Sequence, residues 1–318
     1  MHRFLLLTLC VGTLGLAGCD SGDPGSHVPE PVVEAWLIAR EPLPTIRLTW
    51  SQSVDVSYSS QSVQIQGATA RVARLDEALR EVESWDYTET NTPGVYRPAA
   101  DPISSFLPTV EPGATYRLEV QVPGYGETVR ATTVVPGDFE VTGVSNQTVV
   151  YQSTDQVEVN VTTSGYPGRD AVYVISILSL EPSFENLTPF LRDALYSISE
   201  GEEFDPEDID LEDIDEVVEQ SSPPLNEANW EVNPDGTLKL KMPWFFVAFY
   251  GDNEITASAI DDNIWTFLRQ VNAQEGNGGL SPGEIPNVNA GIEGGHGLFG
   301  SLSRARSRVT VLRGSEGG

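Results

Sequence analysis

The sequence predicts a mainly β protein, in which an antiparallel sandwich is followed by a second antiparallel β-rich domain with a few short helices and an acidic insertion. Three observations carry that expectation. Short apolar runs with period-two alternation recur between Pro and Gly turns, the segment Val110 to Val120 pairs a Pro-Gly turn with an alternating strand, and strand-like runs resume after a long carboxylate-rich excursion.

The chain opens with His2 and Arg3, an apolar run from Phe4 to Val11, and Leu16-Ala17-Gly18-Cys19. A charged start, a short apolar stretch and small residues before a cut describe a secretory signal, too short for a membrane span. Residues 1–18 are therefore expected to be removed. Leu16 to Cys19 resembles the bacterial lipobox, which implies cleavage before Cys19 and acylation of its sulfur and amino group. Several acyl chains, each contributing about 0.8 kcal/mol per buried CH₂, hold a protein on a bilayer without spanning it. With Cys10 in the signal and Cys19 lipidated, the mature chain keeps no thiol for a disulfide, a zinc site or a nucleophile. Residues 19–30 read as a small, polar, flexible tether.

Residues 31–136 form the first expected sandwich. Val32 to Ile38, Thr45 to Trp50 and Ala70 to Leu75 are its early strands. Val110-Glu111-Pro112-Gly113-Ala114-Thr115-Tyr116-Arg117-Leu118-Glu119-Val120 resembles the turn and strand of fibronectin type III and immunoglobulin-like domains with a tyrosine corner, which makes this sandwich immunoglobulin-like. Tyr116 then bonds backbone upstream while Leu118 and Val120 face inward. Gly124-Tyr125-Gly126 turns the chain into Thr128 to Val135, closing a hairpin.

Residues 137–318 form the second expected domain, with strands at Val157 to Val161, Ala171 to Leu178, Leu238 to Lys241 and Trp244 to Tyr250. The acidic insertion covers about 181–228 and holds a helix at Pro189 to Ser197. Asp261 or Asp262 caps a further helix carrying Ile264, Trp265, Phe267, Leu268 and Val271. The aromatics from Trp244 to Tyr250 fit a buried strand better than an exposed ligand platform.

Lys plus Arg is 18 against 47 Asp plus Glu, a formal charge of −29. A nucleic-acid backbone is repelled by such a chain. Only Lys239 and Lys241 are lysines, and acidity with scarce lysine fits a halophile, since 1 M salt shortens the Debye length to about 3 Å. The rival reading assigns the acidity to one insertion. Within it, Glu200 to Glu219 holds twelve carboxylates and no cation. A solvated loop, or a short helix capped by Asp205 with Pro206 in its first turn, is the preferred expectation. Asp208, Asp210, Glu212 and Glu219 also occupy positions 1, 3, 5 and 12 of an EF-hand-like count and form a candidate calcium set, although Asp213 stands where that loop needs Gly.

Gly295-His296-Gly297-Leu298-Phe299-Gly300 fits the dinucleotide string G-x-G-x-x-G. That motif needs a strand before it and a helix after it, whereas this one is followed by a terminal strand at Arg308 to Leu312. Its glycines instead suit positive φ and close backbone approach, with Leu298 and Phe299 packing inward, and no nucleotide is expected. His27 and His296 are the only mature histidines, too few for a His-based metal cluster or a Ser-His-Asp arrangement. His296 shows no sequence neighbour that would orient it as a general base, so no catalytic residue is assigned.

The order of features resembles a family of Bacteroidota lipoproteins that carry a domain of unknown function beside TonB-dependent outer-membrane receptors. The matching residues are Leu16 to Cys19, Val32 to Leu37, Gly113 to Leu118 and above all Asn289 to Gly300, a variant of that family's closing glycine string with Ala290-Gly291 added. The resemblance implies a non-enzymatic protein, lipid-anchored in the outer membrane and on its periplasmic or outer face, that serves ligand capture or uptake with a TonB-dependent transporter. The alternatives are a carboxylate-dependent extracellular hydrolase and a structural or adhesive surface protein.

Overall fold

A computed structural model describes residues 27–53, 56, 62–99, 107–145, 147–198, 217–275 and 289–314, which are mainly β with few helices. The first unit holds β1 (Pro31–Ile38), β2 (Ile46–Trp50), β3 (Thr69–Leu75), β4 (Glu81–Glu89), β5 (Val95–Pro98), β6 (Thr115–Gln121) and β7 (Thr128–Val134). The second begins with β8 (Val141–Ser145), β9 (Thr148–Val150), β10 (Val157–Val161), β11 (Val172–Ser179) and helix α1 (Pro189–Ile198). It continues through β12 (Glu219–Ser221), β13 (Leu225–Asn226), β14 (Glu231–Val232), β15 (Leu238–Met242), β16 (Gly251–Ile260) and helix α2 (Asp262–Glu275). The chain then runs through β17 (Asn289–Ala290), β18 (Ile292–Glu293) and the 17-residue β19 (His296–Leu312).

Alternation places the first core. Val33, Ala35 and Leu37 of β1, Leu48 of β2 and Leu118 and Val120 of β6 are buried. The Val and Leu side chains among these each contribute about 1.5–3 kcal/mol on leaving water. Tyr116 is fully buried and accepts the Glu111 N–H on its hydroxyl at 2.8 Å, the expected tyrosine corner. A separate core runs from Phe139 to Val311 and includes Val157, Val159, Tyr173, Ile175, Ile255 and Val309.

The two cores meet on β19. It pairs antiparallel with β16 from Leu302 to Val311, and parallel with β1 from Val32↔His296 to Ile38↔Leu302. The main ladder therefore runs β12-β11-β16-β19-β1-β2-β5-β4-β3-β6-β7-β18, beside a four-stranded sheet β14-β15-β10-β8. Phe299 belongs to the first core and Val309 and Val311 to the second. The glycine string makes this possible, because a Cβ on Gly297 would collide with the Val33 main chain and one on Gly295 would stand 2.6 Å from the Pro31 carbonyl oxygen. Gly297 also has φ 102, closed to other residues without strain. Leu298 and Phe299 are buried, so the string is a strand packed against a strand.

Helix α2 is fastened at its start by a buried polar network. Asp261 accepts the Ile264 N–H on Oδ1 at 2.8 Å, an N-cap, and takes a hydrogen bond from Thr133 of β7 on Oδ2. The Ser301 hydroxyl completes the cluster beside Thr133. Asn263 donates to the carbonyls of Thr132 and Phe299, both at 2.8 Å. Behind it, Ile264, Phe267, Leu268 and Val271 pack with Trp36, Val172 and Leu298.

Two expectations need revising. Trp244 to Tyr250 is not a strand: after Pro243 the chain makes a 3₁₀ turn at Trp244–Phe246, then a buried segment in which Phe249 bridges to Leu187. Phe249 is fully buried while Phe245 is exposed and meets Phe190 of α1 at 6.1 Å. The excursion also returns to the sheet within its expected span, since β12 and β13 both pair with β11.

Gly297→Ala is expected to cost at least about 2 kcal/mol in denaturant unfolding, because it adds a collision to a positive φ. Gly143→Ala, with open space around the new methyl, is expected to stay within about 0.5 kcal/mol. A second outcome concerns pH. Burial pushes the Asp261 carboxyl up to about 6, against hydrogen bonds that favour its ionised form. The protonated acid is the form favoured by folding, so its stabilising contribution is complete below the unfolded value near 3.8 and declines as pH rises to about 6. Asp261→Asn keeps a capping oxygen without ionising. Between pH 4 and 6 the stability of the wild type is expected to fall relative to this variant by about 2 kcal/mol.

Candidate functional site

Where β1 ends, the chain turns at Arg40, whose φ of 64 is unusual for a side chain of that size. The turn is held by Arg40 N–H donating to Val110 O at 2.8 Å and by Val110 N–H donating to Glu41 O at 2.8 Å. Opposite lies the link between the two units, Asp138 to Glu140. The Glu140 N–H donates to Thr162 Oγ1 at 2.9 Å, and the Thr162 N–H donates back to Glu140 O at 2.9 Å. The floor is β19 from Ser303 to Arg306. These walls enclose an open groove of about 640 Å³ at the junction of the two units, a common place for ligand sites.

The groove is ionic. Arg40 pairs with Asp138 across it, Arg304 reaches Glu41 with Nε at 3.0 Å, and Arg306 lies 3.5 Å from Glu254 of β16. Arg40 is 74% exposed, so its guanidinium stands at the mouth. On its far side a smaller hollow of about 350 Å³ is lined by Arg74, Glu83, Trp85, Glu111 and Tyr116. Arg74 pairs with Glu111 and, at 3.3 Å, with Glu83, and Trp85 stacks on Tyr116 at 6.3 Å. Burial raises the Tyr116 hydroxyl above its usual range, against its hydrogen bond from Glu111, so it stays a neutral phenol. A chain of charge −29 thus sets Arg40, Arg304 and Arg306 in the groove and Arg74 in the neighbouring hollow, with Arg40 lining both. The arrangement can bind polar or charged groups by exchanging ion pairs.

The residues singled out in the sequence fall elsewhere. Cys19, Asp208, Asp210 and Glu212 lie outside the described residues. Glu219 opens β12, exposed, opposite Leu178. Among the described residues no three metal-ligating side chains come together. His296 begins β19 and meets a partner that sequence distance concealed: its Nε2 contacts Glu30, 266 positions away. His27 lies beside Ser51, with Nε2 3.0 Å from its carbonyl oxygen. His27 and His296 therefore both fasten the segment that enters β1. The groove itself carries no motif, since Arg40, Asp138, Thr162 and Arg304 are scattered along the chain. The one signal for it is arginine recurring at alternate positions 304, 306 and 308.

Residues 25–308 match the family described as a domain of unknown function, DUF4249. No curated protein matches the chain. Among solved structures, trypsin-activated alpha-2-macroglobulin from Escherichia coli aligns over 89% of this chain and 15% of its own, at 8% identity and TM-score 0.22. A tetra-tandem repeat from the extending region of a large adhesion protein aligns over 89% of this chain and 49% of its own, at 11% identity and TM-score 0.22. The FN1–FN3 domains of chicken CNTN1 align over 89% and 66%, at 12% identity and TM-score 0.16. The chain spans less than two thirds of each of these structures.

Arg304→Met is expected to change unfolding free energy by less than about 1 kcal/mol, because the pair with Glu41 is partly exposed and such pairs contribute little. A loss several times larger in chemical denaturation would make the pair a structural strut.

Proposed function

Because the chain belongs to the DUF4249 family, we propose that it is a lipid-anchored, non-enzymatic protein of the outer membrane that captures or presents a ligand for a TonB-dependent transporter. The Bacteroidota setting, the acylation of Cys19 and the partnership with a transporter belong to this reading, supported by the lipobox and by the closing glycine string from Asn289 to Gly300. The observation that carries it is the ionic groove at the junction of the two β units. A groove built on strands joined through one shared strand keeps its shape without a ligand, which lowers the ordering cost of binding.

Two experiments test the reading. Cys19→Ser is expected to move the protein from the membrane fraction to the soluble fraction and to abolish labelling by a fatty-acid probe. Pull-down from detergent-solubilised membranes is expected to recover a TonB-dependent receptor, and deletion to impair growth on at least one transported nutrient. An unlabelled wild type, or a pull-down without receptor combined with unchanged growth on every substrate, would contradict it.

A further inference from the structure

The groove offers both signs of charge with bonding capacity to spare. Arg40 holds Asp138 through Nε and Nη2, both on Oδ2, and Arg304 holds Glu41 through Nε and Nη2, both on Oε1. A guanidinium carries five N–H donors in one plane. Each arginine is thus fixed along its Nε side and, among the described residues, has no partner on its Nη1 side. That terminal edge can donate two parallel hydrogen bonds to a carboxylate.

Glu140 supplies the opposite charge. It is exposed in the groove wall and, among the described residues, forms no ion pair. The link that carries it is extended, since the Gly137 N–H donates to Gly165 O at 2.8 Å and Glu140 is bonded through both its N–H and its C=O to Thr162. Phe139 turns into the second core, so Asp138 and Glu140 project to the other side, about 7 Å apart along the chain. Asp138 marks where the Arg40 guanidinium sits. A free cationic edge and a free carboxylate therefore stand about one extended dipeptide apart, because two residues also span about 7 Å. On a chain of −29 the lining sets Arg40, Arg304 and Arg306 against Glu41, Asp138 and Glu140 and carries no net charge. A plain polyanion gains little from such a wall, whereas a ligand with one charge of each sign gains from both.

We propose that the groove binds a short zwitterionic peptide of about two or three residues, with its terminal carboxylate on the Nη1 edges of Arg40 and Arg304 and its ammonium on Glu140. Binding by this route breaks no ion pair: Asp138 and Glu41 orient the arginines, and the ligand takes the donors that remain. The main chain of both walls is pinned, Arg40 by Val110 and Glu140 by Thr162, so the two charges are in place before the ligand arrives. Glu140 is the residue that tells a zwitterion from an anion, since its carboxylate attracts an ammonium and repels a second carboxylate. The inference gives a ligand class to the ligand-capture reading and rests on it only for the use of the site in the cell. Binding in solution needs neither the lipid nor a transporter.

The test is calorimetric titration of the full mature chain in detergent with dialanine, N-acetyl-dialanine, dialanine amide and free alanine. Dialanine is expected to bind, and each of the other three to bind at least about tenfold more weakly, for want of one charged contact or of reach. Glu140→Gln, which breaks no ion pair described in the structure, is expected to weaken dialanine by about tenfold while leaving N-acetyl-dialanine and the unfolding midpoint unchanged. Arg40→Met is expected to weaken dialanine and to leave its amide unchanged. Equal binding of either capped peptide, or a loss in Glu140→Gln that persists with the acetylated peptide, would overturn the proposal. So would silence of dialanine at millimolar concentration, or binding of tricarballylate that tightens in Glu140→Gln, which would make the groove a polycarboxylate site. Silent peptides beside an acylated, receptor-associated wild type would sink this ligand class and leave the capture reading standing.

Discussion

The parallel contact between β1 and β19 governs the rest of the architecture. Antiparallel neighbours can be joined by a short turn, but a parallel pair requires the chain to travel away and return. Here the excursion is nearly the whole protein, from Ile38 to His296, and everything between must fold so that two distant segments meet. The contact is specified by absence of bulk. Gly295 and Gly297 lie against the main chain of Pro31 and Val33, and Gly300 lies where a Cβ would come 2.5 Å from Ile264 of α2. A single strand thereby touches the first core through Phe299, the second through Val309, and the helix between them through Leu298.

Polar groups reinforce the same junction. Asp261, Thr133 and Ser301 are all buried and come from the start of α2, from β7 and from β19. A buried carboxyl is costly without partners. This one is satisfied by groups from three separate elements, so its bonds exist only when those elements are correctly assembled. In the groove beside this buried network the charge is of another kind: partly exposed arginine-carboxylate pairs that contribute little stability and can exchange partners.

Legibility in the sequence followed side-chain chemistry. The strands around Val33, Leu48, Val72, Val159 and Ile175 announce themselves by alternation, and Tyr116 by its Pro-Gly turn. The cap at Asp261 was readable as one of two adjacent acids, though its burial was not. Strand β16 was missed because its inward positions include Asn253, Ala257 and Ala259, too small or too polar to stand out. The middle of β19 was missed for a related reason, since Ser303, Ala305 and Ser307 alternate with arginines, and only its apolar end reads as a strand. Trp244 to Tyr250 misled in the opposite direction: an aromatic run has the composition of a strand, but Pro243 and the bridge from Phe249 to Leu187 fold it as a turn and a plug. Beyond the alternating arginines of β19 the groove was not legible, being assembled from four segments whose nearness depends on the returning strand.

The direct measurement is complementation of the first sandwich. A fragment of residues 27–136 lacks β18, β19 and Phe299, and is expected to give a collapsed, poorly dispersed amide spectrum that becomes dispersed when a peptide of residues 289–303 is added. A well-dispersed, cooperatively unfolding fragment without the peptide would show that the first unit closes its own core and that the returning strand is not what holds it together.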